Sequence, residues 1–146
     1  MIEEIVAGIK TSIEEILPET FAELTHTYTL TSNNFSSNAK RYGVVINDVS
    51  EVSGTTNAVT LTQSFSFYLT EGYYTEHLSD SVIQEKLALL YDYSRAIVKN
   101  GYKNKFYYSE GIININNTKT KTPIIENDYN LILLETEVFI TYRDLL

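Results

Sequence analysis

The stretch Val59 to Thr70, VTLTQSFSFYLT, alternates apolar and polar residues almost without interruption. Val59, Leu61, Phe65, Phe67 and Leu69 fall on one side; Thr60, Thr62, Ser64, Ser66 and Tyr68 fall on the other. A period of two is the signature of a β-strand with one face on a core. A strand this long cannot stand alone, because its backbone groups need neighbours. The chain must therefore build a sheet around it. Four further segments read as partners. Phe21 to Thr31 places Leu24, His26, Tyr28 and Leu30 against alternating threonines. Tyr42 to Val49, Lys105 to Asn116 and Asn130 to Arg143 complete the set. The last opens as NLILL, apolar on both faces, which fits a strand central in its sheet or covered by another subunit. Ser32 to Asn38 and Ser53 to Asn57 are turn-rich, and Asn117 to Asp128 reads as a mobile loop.

Two segments carry helical spacing instead. Ile2, Ile5, Val6, Ile9, Ile13, Ile16 and Leu17 form one stripe, opposed by Glu3, Glu4, Lys10, Glu14 and Glu15. Pro18 ends this helix near Leu17. The second helix has Ser81 with Gln84 as a capping box and Asp80 beside it. Ile83, Leu87, Leu90, Ser94 and Ile97 form its stripe, widened by Leu89, Tyr93 and Val98. Asn100-Gly101 marks its end. The expected architecture is a single α+β domain over residues 1–146. An antiparallel or mixed sheet of about five strands is packed by an N-terminal helix and a central helix.

Charge narrows the function. The formal net charge is −8 and the basic residues are scattered. Gripping nucleic acid needs clustered Lys and Arg, so that role is disfavoured. The N-terminus lacks a basic start and apolar run, and no apolar run reaches a membrane span, so a soluble protein made in a cytoplasm is expected. Without Cys there is no thiolate metal site. His26 sits on an apolar strand face, where a packed histidine is the simpler reading than a general base. His77, Ser79, Asp80 and Ser81 cluster as helix starts do, not as a catalytic triad. Glu135 and Glu137 share a strand face and would serve acid–base work only across a cleft. No metal or cofactor is expected. Twelve Tyr are many for one small core. They fit a protein interface, or equally a sheet in which Tyr takes the place of Trp.

The order of these elements resembles that of the tail terminator proteins of tailed bacteriophages. The features that carry the resemblance are Gln63-Ser64-Phe65 with Phe67 and Leu69, then the Tyr73-Tyr74 pair. The helix after Asp80 follows, and a final strand holds Glu135, Glu137, Phe139, Tyr142 and Arg143. The resemblance implies a non-enzymatic structural virion protein of the tail or neck, assembled in the host cytoplasm. Six copies would form a homohexameric ring capping the tail tube, halting its polymerisation and joining the tail to the head connector or stopper. Genomic DNA would pass the lumen without specific binding, and no membrane would be involved. The partners implied are the chain itself, the tail tube protein and the connector. Candidate ring or partner contacts are Asn34, Phe35, Tyr68, Tyr73, Tyr74, Lys119, Lys121, Glu135, Glu137 and Tyr142. Either Asn33 to Lys40 or Asn117 to Asp128 would order on assembly. Another head–tail joining protein, or a small α+β ligand-binding domain or enzyme, is the alternative.

Overall fold

The computed structural model describes residues 2–24, 40–72, 79–108, 111–116, 118–126 and 131–145. Helix α1 spans Ile2–Glu14 and strand β1 Ala22–Glu23. Strands β2, Lys40–Gly54, and β3, Ala58–Gly72, follow. Helix α2 covers Asp80–Asn104. Short strands β4 (Ile112–Ile115), β5 (Lys119–Thr120) and β6 (Ile124–Glu126) precede β7, Leu131–Leu145. The protein is α+β; the described residues place two α-helices on one face of a mixed sheet. β1 runs parallel to β2; every other pairing among the described residues is antiparallel.

The long alternating segment is central to this sheet. β3 pairs β2 on one side and β7 on the other, in unbroken register with β7 from Ala58↔Leu145 to Gly72↔Leu131. β7 is itself internal. Its far side is lined in turn by β4, β5 and β6, which together form one edge strand broken in two places. Part of the expected loop Asn117 to Asp128 is therefore sheet edge. Lys119 pairs with Glu137 and Ile124 with Leu133.

The helices bury their apolar stripes against one sheet face. Ile5, Ile9 and Ile13 of α1 are fully enclosed, each contributing about 2 kcal/mol of burial. They meet Phe65, Phe67 and Leu69 of β3, Leu134, Val138 and Ile140 of β7, and Leu90 and Ile97 of α2 in one core. α1 turns out through Leu17, whose N–H still bonds the Ile13 carbonyl at 2.9 Å, just before Pro18.

The ends of α2 differ from expectation. Its N-cap is Ser79, two residues ahead of Ser81; the Ser79 hydroxyl accepts from the Val82 N–H at 3.4 Å. Its C-terminus passes Asn100-Gly101 and ends at Asn104. Gly101 lies inside the helix because the Phe106 ring rests on it. Lys105, Phe106 and Tyr107 then all adopt left-handed backbone, with φ of 54°, 50° and 55°. Residues 105–107 form this tight turn rather than the start of a strand. Such residues cost about 1–2 kcal/mol each. Full burial of Phe106 against both helices offsets part of that cost.

Candidate assembly surface

The sheet face away from the helices carries the polar side of the alternation. Two β-bulges on β2 shape it. Register slips between Ile46 and Val49 and again between Glu51 and Ser53, each adding one residue to β2 opposite β3. At the first bulge the buried Gln63 Nε2 donates to the Asn47 carbonyl at 2.7 Å and to the Asp48 carbonyl at 3.2 Å. These carbonyls, displaced from the ladder, are thereby satisfied. On the other face the Asn47 Nδ2 donates to the Ser66 and Ser64 hydroxyls, at 2.7 and 3.2 Å.

From Ser66 the network crosses to β7. The Ser66 hydroxyl donates to Glu135 Oε2 at 2.7 Å, and Lys121 Nζ reaches the same oxygen at 2.9 Å. Lys121 also lies 4.0 Å from Glu137. The Lys121 N–H bonds the Glu135 carbonyl, so backbone and side chain both fasten the link between β5 and β6 onto β7. Burial alone would raise the Glu135 pKa. Hydrogen bonds from Lys121, Ser66 and Tyr68, with the Lys121 charge, outweigh it and hold the carboxyl below its ordinary range. Lys121 is correspondingly raised, first by its hydrogen bond to Glu135. A carboxylate displaced downward is a weaker proton acceptor, so this pair suits a fixed ionic clasp better than acid–base chemistry.

Of the candidate contacts, Tyr68, Lys119, Lys121, Glu135 and Glu137 gather on this open face. Tyr142 does not. It is fully buried on the helix face with its ring edge-on to Tyr108, and burial raises its pKa. It is a core residue rather than a surface contact. Asn34, Phe35, Tyr73 and Tyr74 lie outside the described residues, as do His26, His77 and positions 33–39 of the first candidate loop. Lys40, the last position of that loop, already belongs to β2. The open face is less solvated than the alternation implies. Ser66 and Thr70 are fully buried, and Leu131 and Leu133 join Leu24 and Tyr68 in a second, smaller apolar cluster.

The sheet margins carry what the sequence reading missed. Val49 is 54% exposed and Val52 60% on β2; Ile113 is 59% and Ile124 54% exposed on the broken edge of β4 to β6. A strict alternation count puts Val49 on the wrong face, because it cannot see the bulge. β2 pairs β1 only at Arg41 and Tyr42, and from Asp48 to Gly54 its outer side meets no strand among the described residues.

One open concavity, about 530 Å³, lies between the first turn of α1 and the far ends of β2, β3 and β7. Its walls mix Val49, Leu61 and Tyr142 with the carboxylates of Glu3 and Asp144. Among the described residues, no three of His, Cys, Asp or Glu come together as a metal site, and no helix is long and apolar enough to cross a membrane. No protein-family model matches the chain, and no curated protein matches it.

Proposed function

We propose that the protein is a structural virion component, the terminator of a bacteriophage tail. Copies of the chain assemble into a homohexameric ring that caps the finished tail tube, halts its growth and presents a surface to the head connector. The observation that carries this reading is the exposure of Val49, Val52, Ile113 and Ile124 along the two margins of the sheet. Aliphatic side chains on exposed sheet margins are a liability in a monomer and an asset in an assembly. The tail-terminator resemblance of the sequence supplies the specific role. A net charge of −8 per copy supports it further, since an acidic bore repels DNA and lets it slide.

The test is to add the purified protein to polymerising tail tubes and to measure tube length by electron microscopy. Rings at tube ends with arrested growth are expected. Tubes that elongate unhindered, beside a protein that stays monomeric at every concentration, would overturn the proposal.

A further inference from the structure

The two margins of the sheet are chemically opposite. Residues 46–54 of β2 contain two acids and no base, whereas residues 112–126 of the broken edge contain two lysines and one acid, Glu126 at the far end of β6. Both margins also bear exposed aliphatic side chains, Val49 and Val52 with the less exposed Ile46 on the first, and Ile113, Ile124 and Ile125 on the second. Asp48 and Lys119 are solvent-exposed, and neither makes a salt bridge within the described residues.

We infer that the acidic β2 margin of one copy docks against the basic β4–β6 margin of the next. This deepens the ring-forming reading and rests on it. The occupant of each margin is a second copy of this chain. Three physical points favour that occupant. First, a ring needs a heterologous contact, two different surfaces on one molecule that fit each other, and these margins lie on opposite sides of one sheet. Second, chains of charge −8 repel one another at long range, so a stable contact has to place the few available lysines against acids. Third, neither margin can extend a regular ladder. β2 is bulged twice, and the opposite edge is cut into three short strands. Such edges resist indiscriminate strand addition. Recognition then falls to side chains, with valine meeting isoleucine and carboxylate meeting ammonium.

The experiment is a charge swap in the full-length chain, read by sedimentation velocity across a concentration series. Asp48→Lys and Lys119→Glu are each expected to move the assembly midpoint at least about tenfold higher in concentration. An equimolar mixture of the two variants, and the double variant Asp48→Lys/Lys119→Glu, are each expected to recover assembly. A misfolded variant cannot be rescued by mixing, so recovery reads the pairing itself. If either single variant assembles like the parent, or if neither combination recovers, the docking inference falls while the ring stands. If the parent chain stays monomeric even with tube ends present, both fall together.

Discussion

Replacing Gly8 by Ala tests how α1 is seated. In an exposed helix interior, Gly to Ala stabilises by about 1 kcal/mol. Here the sign reverses. A Cβ on Gly8 would fall inside the contact radius of the Phe106 carbonyl oxygen and carbon, both backbone atoms. Those atoms are held by the left-handed turn at 105–107 and by the fully buried Phe106 ring. Relief requires α1 to lift from the turn, which costs about 3 kcal/mol at the upper end for overpacking. Set against the propensity gain, the net loss is about 2 kcal/mol. For a domain of this size that lowers Tm by roughly 4–8 °C. Ala7, one residue earlier and exposed, is the control. Ala7→Gly adds no atom that could clash and is expected to lose only about 1 kcal/mol, the ordinary helix cost. A second comparison separates backbone from side-chain contact. At Gly101 the added methyl would meet the Phe106 ring, not its carbonyl. Phe106→Leu should therefore relieve part of the damage of Gly101→Ala but none of that of Gly8→Ala, a difference a double-mutant cycle resolves. Thermal unfolding followed by circular dichroism is the assay. A Gly8→Ala protein as stable as the parent would refute the close seating of α1 on this turn.

Lys105→Gly relaxes the left-handed C-cap of α2 and is expected to raise Tm by about 2–4 °C, provided its N–H keeps the bond to the Gly101 carbonyl. Gln63→Leu strands the Asn47 and Asp48 carbonyls at the bulge and should cost about 1–3 kcal/mol in urea unfolding; a loss near zero would mean the bulge does not depend on the amide. The ionic clasp gives two pH limbs. The depressed carboxyl of Glu135 contributes stability above its ordinary value of 4.5 that is lost as pH falls through its folded value. Raised Lys121 and raised Tyr42, the latter displaced chiefly by burial and then by its bond to Glu14, contribute stability that drains as pH climbs past their ordinary values of 10.5 and 10.0. Glu135→Gln should flatten the acid limb of a melting-temperature profile, and an unchanged limb would remove the clasp from the account.

Much of this fold is legible in the sequence, and the failures share a cause. The alternation of β3 and the isoleucine stripe of α1 were readable because each repeats one period over many residues, and burial follows the period. Position 101 misled because glycine serves two purposes. It ends helices through left-handed backbone, but here it makes room for an aromatic ring that arrives from five residues later. Residues 117–126 misled because KTKTP looks like loop chemistry. Isolated pairs of ladder bonds to β7, with Lys121 fastened to Glu135, suffice to hold such a segment at an edge.

The candidate surface was legible only in part, for a geometric reason. Tyr68, Glu135 and Glu137 lie on regular strands, so their shared face follows from counting. Val49 lies across a bulge, where one added residue reverses the face of each side chain until the second bulge. That insertion sets Val49 opposite Gln63, on the face of the sheet that the helices cover elsewhere. So far along β2 the cover is incomplete, and Val49 stays half exposed beside the first turn of α1 while Gln63 seals the backbone next to it. A single local irregularity thus does two jobs. It blunts the β2 edge against unselective strand pairing, and it sets an acid, Asp48, out of the ladder beside an exposed aliphatic side chain. Deleting Asp48 would smooth the first bulge and leave Val49 opposite Gln63, in a ladder unbroken as far as the second bulge after Glu51. The edge would gain ladder-forming capacity while losing one of its two acids, so aggregation into extended sheets, rather than closed rings, is the expected product. Electron microscopy of the deletion variant distinguishes the two, and rings of parental size would show that the bulge does not guard the edge.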